Sequence, residues 1–165
     1  MPFPSHFNIK STLVSWLLLL SAFLHGCGST NACSASSGKQ DPVQPLLFFQ
    51  KTPCYGSCPA YDAMLYEDGS ITFVGYAHVP ATDTLRLCLP KQELARLQAA
   101  MQELDYASLQ SSYLSQWTDV PSTYITFYRG GKEVKRIKHQ EGGPEKYVHF
   151  QEWLHERIMQ QLEAK

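Results

Sequence analysis

Tyr61-Asp62-Ala63-Met64-Leu65-Tyr66-Glu67-Asp68-Gly69-Ser70-Ile71-Thr72-Phe73 is the stretch on which the fold turns. Tyr61, Ala63 and Leu65 alternate with Asp62 and Met64, and Ile71 and Phe73 alternate with Ser70 and Thr72. Two alternating runs separated by Asp-Gly predict a β-hairpin. A two-residue loop, Asp68-Gly69, pairs Tyr66 with Ile71 and Leu65 with Thr72, which mixes the faces. A three-residue loop, Glu67-Asp68-Gly69, pairs Leu65 with Ile71 and Ala63 with Phe73. One face is then consistently apolar, so this is the expected register. It also puts Gly69 at a left-handed bulge position, where the missing Cβ removes the steric penalty. The second strand is expected to run toward Val79 and stop before Pro80.

The flanking segments extend this pattern. Leu46-Leu47-Phe48-Phe49 suits a buried strand ending at Gln50. Leu85 to Leu89 alternates and is expected at a sheet edge. Pro90 fits the first turn of a helix, where its missing N–H does no harm. Leu94, Leu97, Met101 and Leu104 then form one helical stripe. Tyr106, Leu109 and Tyr113 predict a further short helical turn. Ser115 to Ser122 reads as a loop broken by Pro121, and Thr123, Ile125 and Phe127 as a strand. Val134 and Ile137 lie out of step after the Gly130-Gly131 turn, which predicts a bulge. Gly142-Gly143-Pro144 starts a last helix whose stripe is Tyr147, Phe150, Leu154, Ile158 and Leu162, with Trp153 at its edge. Strands, helix, strands, helix predict one α+β domain over residues 46–163. It is expected to be an antiparallel sheet of hairpins with amphipathic helices packed on one face.

The chain has 165 residues and a formal net charge of −1, without a long run of one sign. A dedicated nucleic-acid binder needs a basic face to neutralise phosphates, so the charge argues against that class. The densest basic group, Lys132, Lys135, Arg136, Lys138 and His139, reads as a solvated strand face. Ahead of the domain, Lys10 and the apolar run Thr12 to Leu24 form an export signal, expected over residues 1–26. The run is shorter than the ~20 residues a membrane-spanning helix requires. Leu24-His25-Gly26-Cys27 resembles the lipobox of bacterial lipoproteins, with His25 a departure from the usual small or uncharged residue. The resemblance implies cleavage before Cys27 and acylation of that residue, giving a membrane anchor. Gly28, in place of an aspartate, favours the outer membrane. The alternative is a secreted or periplasmic protein cut nearby, for example after Ala35. Residues 27–45 are small, polar and Pro-containing, and read as a flexible tether.

Beyond Cys27 the chain has Cys33, Cys54, Cys58 and Cys88. Export brings them into oxidising surroundings, where disulfides are the default. Cys54 and Cys58 are the natural pair, in Pro53-Cys54-Tyr55-Gly56-Ser57-Cys58-Pro59. A bridge needs Cα atoms within about 7 Å, so this segment must turn tightly, and Gly56 is expected to permit the turn. Cys-x-x-x-Cys-Pro also resembles the copper site of thioredoxin-like copper chaperones. That resemblance implies Cu(I) on Cys54 and Cys58 with a distant histidine, His139 or His78, as third ligand. In those proteins a helix follows the motif, whereas here a hairpin follows. A structural zinc site needs four ligands, and no second Cys or His pair has suitable spacing. His149 and His155 lie six apart on the last helix and do not share a face. Asp119 and Glu141 are loop acids without an evident partner. Tyr55, Tyr76, Trp117 and Tyr128 are candidates for a binding surface, although core packing is the commoner use of aromatics.

Cys54-x-Gly56-x-Cys58-Pro59-x-Tyr61, Tyr66-x-Asp68-Gly69, the leucine helix, Asp119-x-Pro121 and the Pro144 helix together resemble an uncharacterised bacterial envelope domain. It is a domain of unknown function found in lipoproteins of the Bacteroidetes type. The resemblance spans about residues 46 to 163 and implies an α+β envelope domain, with no activity attached. The chain is therefore expected to be a lipid-anchored, non-catalytic binding or interaction domain. Its expected partners are the membrane, through Cys27, and an envelope protein or ligand. The alternative is a thiol-redox or copper-handling protein that uses Cys54 and Cys58. A hydrolase has no visible constellation.

Overall fold

The computed structural model describes Cys33 and residues 42–165. The expected export signal, Cys27 and the greater part of the expected tether lie outside the described residues. Among the described residues no helix is long and apolar enough to cross a membrane. The strands are β1 (Pro45–Lys51), β2 (Ala60–Tyr66), β3 (Ser70–Ala77), β4 (Thr84–Cys88), β5 (Ser112–Tyr113), β6 (Thr123–Arg129) and β7 (Lys132–His139). The helices are α1 (Lys91–Leu104) and α2 (Glu145–Glu163). The strands form one mixed sheet in the order β4-β3-β2-β1-β6-β7-β5, antiparallel throughout except for the parallel pair β5–β7.

Alternation sets the register. Leu65 stands opposite Ile71 and Ala63 opposite Phe73, with Gly69 at φ 85° in the turn. Gly69 N–H closes that turn by donating to the Tyr66 carbonyl at 3.0 Å. β1 lies at the centre, and its Leu47 and Phe49 are fully buried between neighbours on both sides. In the β6–β7 pair, Phe127 faces Lys135 and Tyr128 faces Glu133, so Val134 is an extra residue and the register shifts there. That bulge carries Val134 out into solvent while Ile137 stays buried.

α1 joins one sheet edge, β4, to the strand at the other edge, β5. Leu97, Met101 and Leu104 of α1 and Tyr147, Phe150, Leu154, Ile158 and Leu162 of α2 share one core with the buried strand residues. Tyr106 caps that core, its ring stacked on Phe127 with centroids 4.2 Å apart and planes 6° from parallel.

Four expectations are corrected. Pro90 is the N-cap of α1, with extended ψ 147°, and does not sit in its first turn. Residues 106–113 do not form a helical turn: α1 ends at Asp105 in the left-handed region, turns follow, and Ser112–Tyr113 pair with Lys138 and His139. The edge of β7 offers unpaired backbone groups, and local helical propensity yields to them. β3 ends at Ala77, because His78 takes φ 52° and leaves the ladder. Gly56 is outside the left-handed region, so the turn between Cys54 and Cys58 does not depend on its conformational freedom.

Candidate functional site

The strands give the sheet two ends. One holds the β2–β3 turn. The other holds the exit of β1, the start of β2 and the start of β6. At this second end Cys54 and Cys58 are joined in a disulfide, with their Cα atoms 5.7 Å apart. The Gly56 N–H sits 3.3 Å from Cys54 Sγ, which tightens the loop further. The base of the loop is pinned to β6: Thr52 N–H donates to the Ser122 carbonyl at 2.9 Å, and Ser122 N–H donates to Thr52 Oγ1 at 2.8 Å. Gln140 holds the facing loop by donating from Nε2 to the Val120 carbonyl and to Ser122 Oγ, each at 3.2 Å.

The closed loop carries Tyr55 at its tip, 97% exposed. Tyr55, Pro53 and Cys54 on one side, and Thr118, Asp119 and Val120 on the other, line an open hollow of about 390 Å³. Trp117, 67% exposed, adjoins this rim. Of the four aromatics proposed for a surface, Tyr55 and Trp117 thus come to one end. Tyr76 lies on the outward sheet face, donating to Asp62 Oδ2 at 2.8 Å, and Tyr128 lies by the opposite end.

A second group of polar side chains lies at the same end of the sheet, in a hollow of about 300 Å³ lined by Lys51, His139, Gln151, Glu152, His155 and Glu156 among others. Tyr61 Oη meets His155 Nδ1 at 2.8 Å, and the two rings stack with centroids 5.8 Å apart. Burial pushes the Tyr61 phenol well above its ordinary range. Burial, and then the Lys51 charge, hold His155 below its ordinary value, with Glu156 opposing. Burial also lowers Lys51, with Glu152 opposing. With the phenol protonated and the imidazole neutral, one proton bridges Tyr61 Oη and His155 Nδ1, and the ring tautomer sets which of the two donates. Sequence reasoning assigned His155 no role. Its only visible signal was a position on the flank of the α2 stripe, next to Leu154.

The candidate metal ligands do not converge. His139 Nε2 lies 2.8 Å from the Gly142 carbonyl, and a carbonyl can only accept, so that nitrogen carries the proton. His139 lines a different hollow from Cys54. His78 is exposed in the β3–β4 connection. Among the described residues no three His, Cys, Asp or Glu side chains are grouped to hold a metal ion. A soft cation would first need the Cys54–Cys58 pair reduced, since thiolates are its ligands. As it stands, the pair can undergo thiol exchange and can fix the loop.

Cys33 and Cys88, whose pairing the sequence leaves open, form a second disulfide at the end of β4. It reaches the domain at the β2–β3 turn end, opposite the Cys54–Cys58 loop.

The sequence pattern of the family described as Domain of unknown function (DUF6438) matches residues 45–158. None of the curated proteins matches the chain.

Proposed function

From the premise that the chain belongs to the DUF6438 family of domains of unknown function, and from its own geometry, we propose a lipid-anchored, non-catalytic binding domain of the cell envelope. Residues 1–26 direct export, Cys27 carries the lipid, and the outer membrane is the destination. The scaffold is a platform of hairpins whose apolar face is covered by the two amphipathic helices. The working surface is the end with the Cys54–Cys58 loop.

One observation supports this reading above others: Tyr55 is 97% exposed on a loop closed by a disulfide. Tyr55 packs against no part of the domain core, and Trp117 is exposed at the same end, so two aromatics face solvent together there. On a preordered loop Tyr55 loses little entropy when it docks, which is how aromatic anchors gain affinity. The hollow beside it accepts a complementary side chain or a small apolar group. The partner is an envelope protein or ligand with such a group.

The test is recovery of cross-linked species from membranes of cells expressing the full chain, with and without Tyr55→Ala. Adducts that vanish in the variant, while the protein stays folded and membrane-bound, are the expected result. An adduct pattern unchanged by Tyr55→Ala would sink the proposal. Incorporation of labelled fatty acid, lost in Cys27→Ser, tests the anchor.

A second reading is thiol exchange or copper handling by Cys54 and Cys58. It is favoured by one feature, the position of the pair at the surface on a short loop. Cys58→Ser would then trap a mixed disulfide through Cys54 in cells. Absence of such a species, with cellular copper content unaltered, counts decisively against it.

A further inference from the structure

The bond between Cys33 and Cys88 changes how the domain can hang from its anchor. Cys33 lies six residues after Cys27, whereas the domain proper begins at Pro45, eighteen residues after it. Extended chain covers at most ~3.3–3.6 Å per residue. Without the bond, the leash from Cys27 to β1 therefore reaches ~60 Å. With it, the leash ends at Cys88 and reaches only ~20 Å. A compact domain of this size is ~35 Å across. The longer leash allows every orientation at a surface. The shorter one is less than the diameter of the body it holds, so the attached end cannot be turned away from the anchor.

The attached end is well defined. Cys88 pairs with Ser70 at the start of β3, and Leu89 N–H donates to the Gly69 carbonyl at 2.9 Å. Cys33 N–H lies 3.1 Å from Cys88 Sγ, and Cys33 Sγ lies 3.9 Å from the Asp68 carbonyl oxygen. The bridge thus sits on the Glu67-Asp68-Gly69 turn. β2 runs from Ala60, next to the Cys54–Cys58 loop, to Tyr66, next to that turn, and its seven residues span ~20 Å. The two disulfides mark opposite ends of the sheet.

We infer that the Cys33–Cys88 bond is an orienting device: it holds the β2–β3 turn end against the lipid surface and points the Tyr55 end away from it. This rests on the lipid anchor at Cys27 proposed above. The surface that meets the lipid headgroups is the turn with Glu67 and the adjoining end of β4. The surface left for a partner is the far one, so the partner approaches from the aqueous side. One disulfide shapes the binding loop and the other aims it.

The experiment uses the full, lipidated chain in vesicles containing a lipid with a nitroxide on its headgroup. A fluorescent non-natural residue replaces Glu67 at the turn or Ser57 at the loop; both positions are exposed. Headgroup quenching is expected to be several-fold greater at position 67 than at 57. Ten Gly/Ser residues are then inserted at one of two places. Inserted after Ser29, between anchor and bridge, they lengthen the leash, and the contrast should fall to within about twofold. Inserted after Gly38, beyond the bridge, they should leave it unchanged, because the disulfide bypasses them. Equal quenching at both positions in the native chain overturns the inference, as does an equal effect of the two insertions. A chain that incorporates no fatty acid and leaves the vesicles overturns the anchor and the inference together. An acylated, vesicle-bound chain without contrast overturns the inference alone.

Discussion

Tyr61 Oη and His155 Nδ1 lie 2.8 Å apart although ninety-four residues separate them. The contact ties the first residues of β2 to the last helix, beside the Cys54–Cys58 loop. Tyr61→Phe keeps the ring and removes only the hydroxyl. A partly buried imidazole nitrogen then loses its hydrogen-bond partner, which costs about 1–2 kcal/mol. Urea denaturation at neutral pH should show that loss with an unchanged slope.

The same pair makes stability depend on pH. His155 is held below its ordinary value by burial first and by Lys51 second, with Glu156 opposing. Tyr61 from β2, and Glu152 and His139 around the same hollow, complete its surroundings. Its folded pKa is thus lower than its unfolded one. The contribution is fully present above the unfolded value, near ~6.5, and is lost as pH falls from there toward the folded pKa. Lys51→Gln removes one of the two lowering causes. The His155 ring should then titrate at higher pH in an NMR experiment, and the acid-side loss should shrink. An unmoved titration would show that the Lys51 charge does not reach the ring.

The two disulfides should differ in what they contribute. Cys33–Cys88 closes a loop with a sequence separation of 55, and Cys54–Cys58 one with a separation of 4. Chain-entropy reasoning assigns ~4 kcal/mol to the first and ~2 kcal/mol to the second. Replacing each pair by serines and measuring denaturant midpoints should give that order. A larger loss from the Cys54–Cys58 pair would mean that the short loop organises the start of β2 and β6 as well as its own residues.

Two glycines should behave oppositely to their appearance in the sequence. Gly56, between the cysteines, would place an added Cβ only 3.7 Å from Cys54 Sγ, an ordinary contact. Gly56→Ala is expected to shift stability by less than ~0.5 kcal/mol. Gly75 lies in β3 where a Cβ would run into the Ala81 carbonyl of the β3–β4 connection. Its own N–H donates to the Asp83 carbonyl at 3.3 Å. Gly75→Ala should cost about 1–3 kcal/mol, since backbone must move to admit it. Thermal melts of the two variants side by side check the contrast.

A few consecutive residues are enough to specify the local pattern of this fold. Alternation around Glu67-Asp68-Gly69 makes Leu65 face Ile71, because the two-residue loop Asp68-Gly69 would put apolar and polar side chains on one face. The spacing of Tyr147, Phe150, Leu154, Ile158 and Leu162 defines the buried stripe of α2, and the mismatch of Val134 with Ile137 defines the bulge. These are consequences of backbone period, which acts within about ten residues. Whatever depends on which strand lies beside which follows from the closing of the sheet and core. Ser112–Tyr113 became a strand only because the edge of β7 was there to pair with. Cys33 found Cys88 because β4 ends at the β2–β3 turn. His155 met Tyr61 because α2 runs over the start of β2. No period links such residues: their separation in sequence is arbitrary, and only the closing of one sheet and one core brings them into contact.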